Sequence, residues 1–220
     1  MYTSVDYVVA EENREAYESV CGLVDRACGN VVICGPQQSG KTHLLTIGKE
    51  RAGKKALLVP TAAIMLRFDL DLDDDFFDTL GEIPVLFVDE VEAAVDHPET
   101  AKLLELMIAE RNRKGLATCF ATRKMPDELG MAELQDAMAD FKVISIASFG
   151  KESLKDAIDV FEKIYSGDNS RSFNDDAREY LVSSSSTLDE IKNKARYLLQ
   201  IAEVENGTIF DAAAVRAYTE

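Results

Sequence analysis

Apolar residues fall at three- and four-residue intervals near the amino terminus, where Ala16, Val20, Leu23 and Ala27 lie within residues 11–28. That spacing predicts a helix with one buried stripe, stopped by Gly29-Asn30. The pattern then changes to short continuous runs: "NVVICG" (30–35), "KALLVP" (55–60), "PVLFVDE" (84–90) and "LATCFAT" (116–122). None alternates apolar with polar, so each reads as a strand covered on both faces of a parallel sheet. Helical patterns separate them at 40–51, 61–80 and 98–114, the last with Leu103, Leu104, Met107 and Ile108 on one face, and a fifth run, "FKVISIAS" (141–148), completes the set. Strands alternating with helices predict an α/β fold with a doubly wound, parallel, five-stranded sheet.

After Phe149-Gly150 helical spacing takes over, with Leu154, Ala157, Ile158, Phe161 and Ile164 in one helix and Tyr180 and Leu181 in a second. A third begins at Thr187-Leu-Asp-Glu190, the spacing of a capping box, and continues through Ile191, Ala195, Leu198 and Leu199. Residues 1–150 therefore read as an α/β core domain and 151–220 as a small helical domain, with Ser183 to Ser186 as a turn.

Composition narrows the function. A chain of 220 residues that is 46% hydrophobic can bury a substantial core. Its formal charge of -16, from 40 acidic against 24 basic residues, repels a phosphate backbone and disfavours direct DNA binding. A protein partner or a small ligand is expected instead. The amino terminus has no basic segment followed by an apolar one, and no run approaches the roughly 18 apolar residues of a membrane span, so no membrane association and a cytoplasmic address are expected. Cys21, Cys28, Cys34 and Cys119 lack ligand spacing and read as reduced core thiols.

Candidate chemistry lies at Gly35-Pro36-Gln37-Gln38-Ser39-Gly40-Lys41-Thr42, which matches GxxxxGK[ST] between a predicted strand and a predicted helix. Glycines let a backbone loop close around a phosphate, and N–H groups at a helix start face negative charge. Lys41 would lie between β- and γ-phosphates and the Thr42 hydroxyl would ligate Mg²⁺, so ATP or ADP is the expected ligand. "VLFVDE" ends a strand on Asp89, suited to support the metal, and Glu90, suited to polarise an attacking water. An acidic run from Asp69 to Asp78 lacks the Gly and Glu of a calcium loop, having Asp74 and Leu80 there, and reads as a solvated face. His43 and His97 have no ligand-like neighbours and read as structural.

"YTSVDYVVAEENREAY", "GPQQSGKTHLL" and "VLFVDEVEAA" together resemble the AAA+ domain of the DnaA/Hda family of bacterial replication initiators and their short relatives. The resemblance runs through nearly the whole chain. It implies a P-loop NTPase core with a helical lid, packing of Tyr7, Val8 and Val9 around the adenine, and inclusion of His43, within GKTHLL, among the nucleotide-binding residues. It also implies that the chain stops where the initiator's DNA-binding module would begin.

Several departures from that family stand out. Where the family has a γ-phosphate sensor after the fourth strand, "ATRKMPDEL" offers Thr122 or Arg123. Before the fifth strand "LQDAMADF" has Met138 or Ala139 in place of the arginine that reaches a neighbouring subunit's nucleotide. In the lid, "STLDEIKNKA" puts Asp189 where a sensor arginine is expected, with Lys192 and Lys194 as alternatives. The segment that grips single-stranded DNA would fall near 61–80, here filled with aspartate. The resemblance thus implies a nucleotide-binding regulator or adaptor in replication that docks on another AAA+ or replication protein, with weak or no ATPase in isolation. A self-assembling ATPase of helicase-loader type, with Glu90 as base, is the alternative. A third reading is an interaction module holding nucleotide structurally and docking through Asp69 to Asp78.

Overall fold

The computed structural model of the chain describes residues 4–69, 74–167, 171–201 and 209–219. The chain divides into two compact units, one containing Asn13–Ala147 and the other containing Val5–Glu12 together with Ser148 onward. Residues 5–12, read from sequence with the α/β core, therefore group with the carboxyl-terminal part.

The first unit contains β1 (Asn30–Cys34), α2 (Lys41–Ala52), β2 (Ala56–Pro60), α3 (Thr61–Asp69), α4 (Asp74–Glu82), β3 (Val85–Asp89), α5 (Pro98–Lys114), β4 (Ala117–Thr122), α6 (Ala132–Ala137) and β5 (Lys142–Ser145), together with α1 (Glu11–Arg26) from Asn13 onward. The five strands form one parallel sheet in the order β2-β3-β4-β1-β5. Parallel neighbours need crossover connections, which the helices supply. Because β1 lies between β4 and β5, its connection must pass two strands to reach β2. The carboxyl end of β1 is thereby left for a loop rather than a hairpin, the place where open α/β sheets bind ligands.

Interior position explains which apolar runs are continuous. Every residue of β3 and β4 is buried, as are the last four of β1. The edge strands differ from the expectation of two covered faces: Leu57 and Leu58 of β2 are half-buried, and β5 exposes Lys142, Val143 and Ser145. Residues 61–80, read as one helical stretch, form α3 and α4; the intervening 70–73 lie outside the described residues. Ala27 lies past the end of α1, in a turn at φ 50°.

Two interior features fix how helices meet this sheet. Gly48 lies mid-helix in α2, where glycine ordinarily costs about 1 kcal/mol against alanine. A Cβ there would meet Phe87 Cζ at 2.6 Å and Val20 Cγ1 at 2.8 Å, so glycine permits the close approach of α2 to β3 and α1. Arg111, fully buried in α5, donates from Nη1 to the Leu80 and Ile83 carbonyls (2.6 and 2.9 Å), from Nη2 to that of Ala117 (2.5 Å), and from Nε to Thr118 Oγ1 (2.9 Å). One side chain thus joins the end of α4 and the start of β4 to α5, and burial pulls its guanidinium down to about 10.

The second unit contains α7 (Lys151–Tyr165), β6 (Ser172–Phe173), α8 (Asp175–Ser183), α9 (Leu188–Arg196), β7 (Ile209–Phe210) and α10 (Ala212–Thr219). Its core joins Val8 to Leu154, Phe161, Phe173, Leu181 and Ile191. The parallel β6–β7 pair was not foreseen, since two residues per strand carry no readable period. Thr187 caps α9 by accepting from Glu190 N–H at 3.2 Å, but the Glu190 carboxylate accepts from Ser186 N–H (2.6 Å) rather than from Thr187, so only half of the expected capping box forms. The start of α7 has no local side-chain cap. Glu12 serves instead, accepting from Gly150 N–H (2.7 Å) and Ser153 Oγ (2.9 Å). No described helix is long and apolar enough to cross a membrane.

Candidate functional site

The loop from Gly35 to Gly40 connects β1 to α2, and its shape follows from residues that tolerate unusual backbone. Gly35 leaves no room for a side chain: a Cβ would lie 2.8 Å from Ser39 Oγ and 2.9 Å from the Ile146 carbonyl. Gln38 and Gly40 adopt positive φ (62° and 86°), turning the chain so that α2 starts at Lys41. Gln37 and Gln38 are exposed, Ser39 is buried, and His43 is buried in the first turn of α2. Lys41 is also buried; its Nζ donates to the Gly35 and Pro36 carbonyls at 2.7 Å each and approaches Ser39 Oγ at 3.3 Å. Burial lowers the ammonium's pKa, opposed by the carboxylates of Glu92 and Asp89.

The acidic side of the site comes from the carboxyl end of β3. Thr42 Oγ1 donates to Asp89 Oδ2 at 2.6 Å, joining the loop's hydroxyl to the strand's last residue. Asp89 Oδ1 accepts from Glu90 N–H (3.0 Å), and the Asp89 carbonyl accepts from Thr61 Oγ1 (2.8 Å). Glu90 is exposed and left-handed, at φ 56° and ψ 47°, a conformation costing a non-glycine residue roughly 1 kcal/mol. It begins a short 3₁₀ turn, Val91–Asp96, that carries Glu92.

Glu92 is the residue that sequence reading missed. Its carboxylate accepts from Arg123 Nε at 2.5 Å and from Arg123 N–H at 3.2 Å. Burial pushes its pKa up, but these donors outweigh burial and hold it below the usual carboxylate value. Thr122, buried at the end of β4, accepts from Gly35 N–H through its carbonyl (3.2 Å) and from Lys124 N–H through its hydroxyl (3.3 Å). The only signal in sequence was a third acid, two residues past Glu90 in "DEVE".

The first unit therefore brings together Gly35, Ser39, Lys41, Thr42, Asp89, Glu90 and Thr122. Tyr7, Val8 and Val9 belong to the other unit, where Val8 packs in the core and its two neighbours are half-buried. Met138 is buried among Phe120, Leu134 and Phe141 at the end of α6, and Ala139 is exposed. In the second unit Asp189 lies in the first turn of α9, Lys192 is buried against Asp6 at 2.7 Å, and Lys194 donates to the Ser184 carbonyl at 2.7 Å.

Donor chemistry fits a magnesium nucleotide. Among the described residues no cluster of three or more His, Cys, Asp or Glu could hold a metal by itself. Mg²⁺ is commonly held by one or two carboxylates plus phosphates and water, which suits Asp89 and the Thr42 hydroxyl. The tight turn at Gly35, the buried Lys41 and the start of α2 supply the positive side.

The thiols divide by depth. Cys34 and Cys119 are buried, as their runs suggest, whereas Cys21 is half-buried and Cys28 exposed, correcting the reading of all four as core residues. Burial raises the Cys34 thiol to about 11 and Cys119 further. At pH 8, N-ethylmaleimide is expected to label Cys28 first, with Cys34 and Cys119 labelled only after denaturation, as peptide mass mapping would show. Rapid labelling of Cys34 in the native protein would contradict its placement.

No protein-family model and no curated protein matches the chain. Solved structures do. Domain III of the replication initiation protein DnaA from Thermotoga maritima superposes with a TM-score of 0.83 at 15% identity, over 99% of this chain and 95% of that one. AMPPCP-bound DnaA from Aquifex aeolicus gives 0.78 at 18% identity, covering 90% of this chain and 64% of that one. The DnaC helicase loader gives 0.53 at 17% identity, over 64% and 93%. The chain has the fold of DnaA domain III, with a five-stranded parallel sheet and a helical carboxyl-terminal region.

Proposed function

We propose that the chain binds ATP or ADP with Mg²⁺ at the Gly35–Thr42 loop and acts as a regulator or adaptor in replication initiation, docking on another AAA+ or replication protein and turning over little ATP alone. The observation that carries this reading is a contrast within one unit. The Lys41, Thr42 and Asp89 constellation is complete, while the segment that would supply a trans-acting arginine offers only Met138, packed into the core, or Ala139, exposed but uncharged. Neither side chain carries a cation to place on a neighbour's nucleotide, and arginine fingers contribute roughly 10³ to 10⁵ in rate where an NTPase depends on one.

Each residue has a separable task. Gly35 keeps the loop tight enough for backbone N–H groups to face a phosphate. Lys41 exchanges its bonds to the Gly35 and Pro36 carbonyls for phosphate oxygens. Thr42 and Asp89 orient the metal, whose contribution is to neutralise phosphate charge. Glu90 is the candidate base, and Tyr7, Val8 and Val9 are proposed to face the adenine. The fold likeness to AMPPCP-bound DnaA supports a nucleotide of this class, and likeness to a helicase loader supports a replication setting. A related DnaA was solved with single-stranded DNA, but the charge of -16 and six aspartates within Asp69–Asp78 argue against that ligand here. Of that acidic face, Asp78 is exposed, and residues 70–73 lie outside the described residues.

The exposed Glu90 beside Asp89 favours a second reading, an ATPase completed by self-assembly. The two separate in a turnover assay across a wide protein concentration range, with Lys41→Ala as the blank. A regulator gives a flat rate at the level of the blank, whereas a rate per protein that climbs with concentration would replace it with the motor.

A further inference from the structure

Between α4 and α5 the first unit carries a groove of about 370 Å³, within the roughly 300 to 1,000 Å³ of binding clefts. Its floor is part of the buried core, with Leu80 from α4 and Leu104 and Met107 from α5. Its lip is not, for Leu106 is 56% exposed. Gly81 lines the groove from α4. A glycine inside a helix weakens it, and here the chain makes no use of the missing side chain: a Cβ at Gly81 would meet nothing within 4 Å, whereas at Gly48 that space is taken by Phe87 and Val20. We infer that this groove docks an amphipathic helix of a partner protein, with leucine-like anchors on one face and lysine or arginine on its flanks. The inference rests on the docking part of the reading above and is independent of its nucleotide part.

Shape and charge together select this occupant. The α5 residues along the groove, Leu103, Leu104, Met107, Glu110 and Lys114, form a stripe about 16 Å long, or about three helical turns. A helix laid in such a groove presents anchors at i, i+3, i+4 and i+7 over a matching length. The rim is acidic: Asp78 and Glu82 are exposed, and among the described residues neither is in an ion pair. Lys114, which also lines the groove, is already engaged by the Gly81 carbonyl (3.2 Å) and Glu110 (3.1 Å). A second copy of this chain would bring its own share of a -16 charge to that rim, and a nucleic acid would bring phosphates, so like charge disfavours both. Basic flanks meet complementary charge there, while apolar anchors displace water from the floor.

Fluorescence anisotropy on the whole chain tests the proposal with a labelled peptide of about four helical turns, carrying leucines at i, i+3, i+4 and i+7 and lysines on the flanks. Two control peptides replace the leucines with serine or the lysines with glutamate, and each is expected to bind about tenfold more weakly or worse. Gly81→Leu, which fills the open space, is expected to weaken the leucine–lysine peptide by about tenfold or more, whereas Gly81→Ala adds only a methyl and should bind within about twofold of wild type. Leu106→Ser, at the exposed lip, should cost about fivefold and serves as the test if thermal unfolding shows that Gly81→Leu has lost the fold. Asp78→Lys combined with Glu82→Lys should cost about fivefold at low salt and less at high salt. Equal binding by wild type, Gly81→Leu and Leu106→Ser would place the peptide on the general acidic surface and overturn the groove. No binding by wild type, or a wild-type dimer in light scattering that Gly81→Leu dissociates, would overturn the helix as its occupant. Mg²⁺-ADP titration and ATP turnover of the same proteins keep the readings apart: a groove that fails with those results unchanged leaves the nucleotide site and the choice between adaptor and motor where they stood.

Discussion

Lys41→Ala is expected to lower the affinity for both ATP and ADP by at least about 100-fold, or about 2.7 kcal/mol, with the fold retained. The Lys41 ammonium is held by the loop itself, donating to the Gly35 and Pro36 carbonyls. Pro36 is exposed, so water can replace the lost donor at its carbonyl, and only the buried Gly35 carbonyl loses a partner outright. Burial already disfavours the ammonium, so its removal returns part of what its desolvation cost. Stability without ligand should therefore change by no more than about 1 kcal/mol. The contrast is read by thermal unfolding with and without nucleotide. Ligand at 100 times its dissociation constant adds about 2.7 kcal/mol to wild type, and the variant should gain almost nothing. An equal ligand-induced shift in both proteins would remove the phosphate loop from the account.

Arg111→Leu is expected to destabilise the protein by about 3 kcal/mol or more without touching the nucleotide site. The substitution removes a buried cation, which by itself would help. It also leaves the carbonyls of Leu80, Ile83 and Ala117 and the Thr118 hydroxyl without their donor. Each unsatisfied buried acceptor costs roughly 1 to 3 kcal/mol, so several together exceed the relief. Arg111→Lys should recover only part of the loss, because an ammonium cannot span the same fork. Urea unfolding of the three proteins measures the effect. A midpoint change equivalent to less than about 1 kcal/mol for Arg111→Leu would mean that water or rearrangement satisfies those groups.

What the sequence made readable follows from where the physics is local. Continuous apolar runs marked β1, β3 and β4, because strands inside a parallel sheet have no polar face. The phosphate loop was readable because a tight turn, a helix start and two ligand types must follow one another within eight residues. Features depending on distant partners left no such trace. Arg111 looks like any polar residue in "ERNRKG", yet it is buried against carbonyls some 30 positions away. Glu92 meets Arg123 31 residues on, and Lys192 meets Asp6 from the far end of the chain. The alignment to family motifs treated Lys192 and Lys194 as candidate sensors, and their hydrogen-bonded and ionic partners became visible only in the structure. Edge exposure in β2 and β5 was likewise hidden, since strand order is not written in strand composition.

The grouping of residues 5–12 with the carboxyl-terminal unit has a consequence for how the chain is made. Glu12 finds Gly150 138 residues later, and Val8 packs on helices that begin only at Lys151. At synthesis rates of roughly 5 to 20 residues per second, the leading segment waits about 7 to 30 s before its partners leave the ribosome. The α/β unit has all five strands available sooner, because β5 ends at Ser145. Assembly is thus ordered in time: the five-stranded sheet can close first, and residues 5–12, made before it, are seated after it.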